Sequence, residues 1–186
     1  LTVTSEIAMD AARKAEQAVT DGDELGPLHG IPISIKDLQM TKGVRTTGGS
    51  LAYKDRIPDA DCAVVERVLA AGAIMLGKTN SPEFGLLGAN ENRLGEPCRN
   101  PWNPERTSGG SSGGAGASII AGLTSLATGG DGGGSIRIPA SFNGTYGIKP
   151  TQGRVSSYSG VDAPPASNYT SQQGPLTRTV RDSALL

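Results

Sequence analysis

Eleven of the chain's 27 glycines fall between Gly109 and Gly134. Glycine is entropically costly inside helices and strands, so it is kept where the backbone must turn sharply or approach something closely. A glycine-serine cluster can also be a slack linker. Linkers, however, are seldom followed within a few residues by Ser118-Ile119-Ile120 and a strand-like Ser125–Thr128. The pattern therefore predicts two glycine turns around ordered elements: a helix of very small residues near Gly114–Gly122, then a strand, then a second turn into Ser135-Ile136-Arg137.

The rest of the chain supplies the frame. Ile7, Ala8, Ala11, Ala12, Ala15 and Ala18 recur at helical spacing from about Ser5 to Val19, with Thr4 or Ser5 as N-cap and Gly22 as a break. Ile31, Ile33 and Ile35 alternate along Ile31–Asp37, which predicts a strand with Ser34 and Lys36 on the opposite face. Asp59-Ala60-Asp61 opens a helix whose apolar face is Cys62, Val64, Val65, Val68 and Leu69, and Gly72 stops it. Ala73–Leu76 then reads as a short buried strand. Strand, helix and strand in alternation indicate an α/β sheet with parallel neighbours. The stretch around Asn100–Pro104 reads as a loop, and the chain beyond Pro150 as polar and turn-rich up to Gly174-Pro175-Leu176. Thr177–Leu186 reads as the start of another helix.

Composition removes several function classes. The 17 basic and 18 acidic residues are spread along the chain for a net charge of −1, and aromatics make up 4%. That leaves neither a basic stripe nor stacking platforms for nucleic acid. No run approaches the length of a membrane span. Cys62 and Cys98 are expected to be free thiols, which fits a cytoplasmic location, and the first residues lack the pattern of a signal peptide. Leu1 is not a start methionine, so the chain is expected to be a single domain cut at both ends.

Two motif matches mislead. Gly72–Thr79 satisfies the P-loop pattern, but its four central residues are apolar, a helix precedes it and Asn80-Ser81-Pro82 follows. A phosphate-binding loop has the reverse order, strand before and helix after. Gly109-Gly110-Ser111-Ser112-Gly113 satisfies the nucleophile-elbow pattern, which requires a histidine downstream. His29, the single histidine, lies upstream, so that reading holds only if residues beyond the chain supply one.

Several long motifs in one order carry a more specific signal. They are Gly30–Asp37, Gly77-Lys78-Thr79-Asn80, Asn100-Pro101-Trp102-Asn103, Ser108–Gly114, Gly130–Ala140 and Gly147–Thr151 with Gly153-Arg154. Together they resemble the amidase-signature family closely, from about Asp21 to the C-terminus. The resemblance implies that family's α/β fold, a mixed central sheet flanked by helices. It implies hydrolysis of the C–N bond of a linear amide, with no cofactor and no metal. By the same resemblance Ser135 is the nucleophile and Lys36 the base. Ser111, twenty-four positions before Ser135, is the bridging serine, following a cis peptide bond at Gly110–Ser111.

The chemistry supports those roles. A serine hydroxyl needs its proton removed, and an amide leaving group needs one returned. A lysine can do this when burial keeps it neutral. By position alone Lys36 would snorkel to solvent; the surrounding motifs favour the buried reading. Gly132, Gly133, Gly134 and Ser135 carry little side chain, so their N–H groups can converge as an oxyanion hole, and a helix starting near Ser135 would add its positive end. Asp131 and Arg137 are expected to brace this turn as an ion pair. Ser81 stands where the family often has methionine, and its backbone is a candidate to line the substrate site. Ser112 is a less favoured bridge than Ser111. His29 is expected to be structural and Trp102 to lie in the core.

Two alternatives remain. One is the amidotransferase A-type subunit that supplies ammonia to misacylated tRNA, although Ser81-Pro82-Glu83-Phe84 lacks its usual acidic residue after Thr79-Asn80. The other is an inactive fragment lacking the C-terminal half of the domain. The expected partners are a small-molecule amide and a second copy of the chain in a homodimer.

Overall fold

The computed structural model describes residues 1–160 and 170–186. In chain order the elements are β1 (Thr2–Val3), α1 (Ser5–Asp21), β2 (Pro32–Lys36), α2 (Ala63–Ala70), β3 (Ile74–Thr79), β4 (Arg99–Asn100), β5 (Asn103–Thr107), α3 (Gly113–Ile120), β6 (Leu126–Asp131), α4 (Arg137–Asn143), β7 (Tyr146–Gly147), β8 (Gln172–Thr177) and α5 (Val180–Leu185). Six strands form one sheet in the order β1-β3-β2-β6-β8-β7, and β4 pairs with β5 in a separate hairpin. β2 lies parallel between β3 and β6, whereas β1, β8 and β7 join antiparallel. This is the mixed α/β sheet expected from the motifs.

Alternation along the central strands sorts the two faces. Ile33 and Ile35 of β2 pack with Val65 and Val68 of α2, Met75 of β3 and Leu126 of β6 in one core. On the other face Ala127 of β6, Ala115 and Ile119 of α3, Ile136 and Leu176 form a second. Ser34 and Lys36 therefore point toward α3, as period-two geometry requires. Ser34 Oγ lies 3.3 Å from Ser118 Oγ of α3.

The glycines of α3 are there for space. A Cβ on Gly114 would lie 2.4 Å from Asn80 N and 2.6 Å from Asn80 O. On Gly116 it would meet Asn143 Nδ2 at 2.9 Å and Pro139 O at 3.3 Å. The helix thus sits wedged between the loop after β3 and α4, and small residues let its N-terminus reach the end of β2.

Several expectations are corrected. The Asn100–Pro104 segment, expected as a loop, is the tip of the β4–β5 hairpin: only Pro101 and Trp102 form the turn, and Asn100, Asn103 and Pro104 lie in the strands. β6 continues through the glycines to Asp131, past Thr128. α4 starts at Arg137 instead of Ser135, with Ile136 as its N-cap. The segment expected to be turns up to Leu176 contains β8, where Gly174 and Pro175 sit in the ladder opposite Gly129 and Thr128. β7 reaches only Leu176 and Thr177, so among the described residues Pro175 has a paired strand on one side alone and its missing N–H costs little. The remainder of that segment, 161–169, lies outside the described residues. α5 forms where a helix is expected, and Thr179 and Asp182 close its start with a reciprocal capping box.

Gly114→Ala tests the wedge. Helix propensity alone favours alanine by about 1 kcal/mol, but the new methyl must displace the Asn80 backbone at a cost of about 1–3 kcal/mol. We expect a net loss of stability, read as a lower urea midpoint. A variant as stable as the parent would show that α3 has room.

Candidate active site

Lys36 ends β2 and is 2% exposed. Its Nζ lies 2.7 Å from Ser111 Oγ, 2.8 Å from Ser112 Oγ and 3.4 Å from the carbonyl oxygen of Gly130. Burial lowers its pKa, partly offset by the negative charge of Asp131, to about 7. A buried ammonium loses its hydration and is disfavoured against the neutral amine. The amine is thus available near neutrality as a proton acceptor. It does not snorkel.

Both serines stand at the N-terminus of α3. The Gly110–Ser111 peptide bond is cis, and both side chains are buried. Ser112 is more embedded in the frame than the sequence suggested. Its Oγ donates to Gly130 O at 3.3 Å and accepts from Gly130 N at 3.3 Å, while its N–H donates to Ser135 O at 3.0 Å. Its adjacency to Ser111 is the only sequence signal for this role.

The turn after β6 is organised by Asp131. The Arg137 guanidinium donates to both carboxylate oxygens at 2.9 Å, and Gly134 N–H donates to Oδ1 at 2.7 Å. The N–H groups of Ile136 and Arg137 donate to Oδ2 at 3.2 and 3.3 Å. Burial pushes the Asp131 carboxyl up, but the Arg137 hydrogen bond and these backbone donors together hold it at about 2. It is a permanent anion that shapes the loop.

That geometry alters one expectation. Gly134 N–H, expected as an oxyanion donor, is directed at Asp131 Oδ1. The N–H groups of Gly133 and Ser135 donate to no group among the described residues, and the exposed Gly133 has open space around it. Ser135 is half-buried and joins the cluster through its carbonyl. Its hydroxyl makes no hydrogen bond to Lys36, Ser111 or Ser112. The structure brings Lys36 and Ser111 together, and brings the backbone of Ser135 against Ser112.

Other sequence candidates fall into place around this cluster. Ser81 is fully buried; its carbonyl accepts from Asn92 Nδ2 at 2.8 Å, and its hydroxyl has no partner among the described residues. His29 Nε2 lies 2.9 Å from Ala15 O, a structural contact. Trp102 is 72% exposed, not core, because it sits on the β4–β5 turn, where its Nε1–H donates to Asn143 O at 2.8 Å. Cys62 and Cys98 are free. Gly77, Lys78 and Thr79 lie inside β3, and Lys78 Nζ donates to Gln39 O and Thr41 Oγ1, both at 2.5 Å, so the P-loop match has no phosphate cradle. No cluster with metal-ligand chemistry occurs among the described residues, and no helix there is long and apolar enough to cross a membrane.

The family model described as Amidase matches residues 1–186. The chain belongs to the amidase family. The A-type subunit of the glutamyl-tRNA(Gln) amidotransferase from Moorella thermoacetica is 50% identical over 186 residues, covering 100% of this chain and 38% of the relative. Its counterpart from Anaeromyxobacter sp. (strain K) is 48% identical, with 100% and 37% covered. Among solved structures, a bacterial aryl acylamidase of the amidase-signature family superposes with a TM-score of 0.91 at 36% identity, covering 100% of this chain and 38% of that one. The peptide amidase from Stenotrophomonas maltophilia superposes with a TM-score of 0.86 at 37% identity, covering 95% and 37%. This chain therefore spans well under half the length of these amidase-family relatives.

The lowered Lys36 pKa has a stability consequence with a definite sign. Between about 7 and 10.5 the unfolded chain holds the Lys36 proton and the folded chain does not. Stability therefore rises with pH across that window and is lost as pH falls through it. Lys78, lowered by burial to about 8, adds to the same trend. We expect urea midpoints to climb over this range and Lys36→Met to flatten the climb, leaving the part due to Lys78. An unchanged slope in Lys36→Met would mean that Lys36 is charged when folded.

Proposed function

We propose that this chain carries the reacting groups of a serine amidase that cleaves the C–N bond of a linear, small-molecule amide through an acyl-enzyme. The observation that carries the proposal is the buried Lys36 Nζ, 2.7 Å from Ser111 Oγ. A neutral amine at that distance accepts the hydroxyl proton, leaving Ser111 able to take one from Ser135. The Ser135 oxygen then attacks the amide carbonyl.

Negative charge develops on the carbonyl oxygen, and the N–H groups of Gly133 and Ser135, with that of Gly132 beside them, are the donors for it. Each such donor supplies about 3–4 kcal/mol to an acyl-transfer transition state. Collapse of the tetrahedral species expels ammonia or an amine, which takes its proton from Ser111 as Lys36 returns one to that serine. Water follows the same path in reverse roles and releases the acid. Proton transfers carry the acid–base chemistry, and the residues need no cofactor for it. Free thiols at Cys62 and Cys98 fit a reducing compartment, and we place the protein in the cytoplasm.

A second reading has a specific observation in its favour. The A-type subunits of the amidotransferases are 46–50% identical to this chain, above the 36–41% of several amidases of known structure. In that reading glutamine is the amide and the released ammonia passes to a partner. Ser81-Pro82-Glu83-Phe84 argues for a stand-alone amidase.

Amide hydrolysis by the protein, assayed with anilides, primary amides and glutamine, tests both. We expect the rate to rise with pH through about 7 as Lys36 loses its proton. We expect Ser135→Ala to abolish turnover and Lys36→Ala to lower kcat by about 10²–10⁴-fold. Glutamine as the preferred substrate, with a copurifying partner, would select the amidotransferase reading. Full activity in Lys36→Ala would defeat both.

A further inference from the structure

The main-chain ladder between β2 and β6 stops short of Lys36. β2 stays paired with β3 as far as Lys36↔Thr79, but with β6 it pairs only at Ile33↔Leu126 and Ser34↔Ala127. Beyond that point the two strands part, and the gap is closed by side chains. Lys36 N–H donates to Thr128 Oγ1 at 3.2 Å, and the Thr128 hydroxyl donates to Gln39 Oε1 in a short hydrogen bond. Gln39 Nε2 donates to Gln173 Oε1 at 2.8 Å and to Gly129 O at 3.4 Å.

Every polar atom of Gln39 is engaged. Its N–H donates to Lys36 O at 2.9 Å, and its carbonyl accepts from Lys78 Nζ at 2.5 Å and from Thr41 Oγ1 at 3.1 Å. The amide orientation is dictated by its neighbours. The Gly129 carbonyl can only accept, so Nε2 faces it and Oε1 is left to accept from the Thr128 hydroxyl, which itself accepts from Lys36 N–H. Gln39 is 3% exposed and Thr128 2%. Buried networks this complete hold geometry tightly, because breaking one member leaves several groups unpaired.

We propose that Gln39 is a positioning residue for Lys36: with Thr128 it clamps the end of β2 to β6 and β8 where the backbone ladder has ended, and so sets where the amine meets Ser111 and Ser112. An apolar side chain in place of Gln39 would leave Thr128, Gly129 and Gln173 each short of a partner. The inference deepens the amidase reading and rests on it for its catalytic meaning. Its geometric content does not depend on that reading.

The test is the titration of Lys36, followed by NMR of lysine ε-carbons and assigned with Lys36→Met. Asp131 of β6 is the charge acting on Lys36, α3 presents only the two serine hydroxyls, β8 presents the neutral Gln173, and Lys78 of β3 is tied to Gln39 O and Thr41. None of these is altered by Thr128→Val, which keeps the side-chain shape and removes the bridge. In Thr128→Val and in Gln39→Met we expect the Lys36 midpoint to rise by about one unit as the amine gains water. Thr128→Ser, which keeps the hydroxyl, should leave it in place. The amidase reading further predicts a roughly tenfold drop in kcat with KM unchanged in the two disrupting variants. Absence of amide turnover in the parent protein would count against the amidase reading, while the titration still decides the clamp. A Lys36 midpoint unmoved in folded Thr128→Val, or in Gln39→Met should the first not fold, overturns the proposal.

Discussion

A lysine amine kept out of water is the constraint from which the rest of this structure follows. Moving an ammonium group into a protein interior costs several kcal/mol even after relaxation, and among the described residues Lys36 has no carboxylate hydrogen-bonded to it. It has hydroxyls and a carbonyl, partners that suit a neutral amine. The nearest influential charge, on Asp131, is held by Arg137 and by backbone N–H groups, so it moderates the loss of the proton without capturing it. A fold that hides an amine from water yet leaves it facing serines favours the neutral form that accepting a proton requires.

The glycine cluster is the steric counterpart of that constraint. To cover Lys36, α3 must come down on the end of β2 and the Asn80 loop, and only glycine at position 114 lets it. The second cluster allows β6 to run to Asp131 and then double back, so that one carboxylate gathers three backbone N–H groups and a guanidinium. The amides at Gly133 and Ser135 are left without an acceptor among the described residues. Close approach, not slack, explains why so many residues here lack side chains.

Much of this is legible from residues alone, and the failures have physical causes. Isoleucine alternation places β2 and the inward face of Lys36, because strand periodicity is a local property. The Asp131–Arg137 pair is readable from their closeness in the chain and their opposite charge. Gly134 reads as an oxyanion donor, whereas its N–H donates to Asp131, because sequence cannot say which way each N–H in a glycine run points; the Asp131 carboxylate decides that. β8 escapes a sequence reading because Gly174 and Pro175 mimic a turn, yet Pro175 pairs with β6 and has no second strand beside it among the described residues. Trp102 belongs inside on hydrophobicity, but the β4–β5 turn carries it to the surface. Gln39 and Thr128 leave no pattern at all: they are distant in sequence and matter only because two strands diverge between them.

Everything proposed for this site turns on a neutral Lys36 activating Ser135. A fluorophosphonate probe, with the adduct located by mass spectrometry, examines that step directly. We predict a single adduct on Ser135, forming faster as pH rises through about 7 and failing to form in Lys36→Ala. An adduct on Ser112, or one on Ser135 that forms equally fast without Lys36, would contradict it.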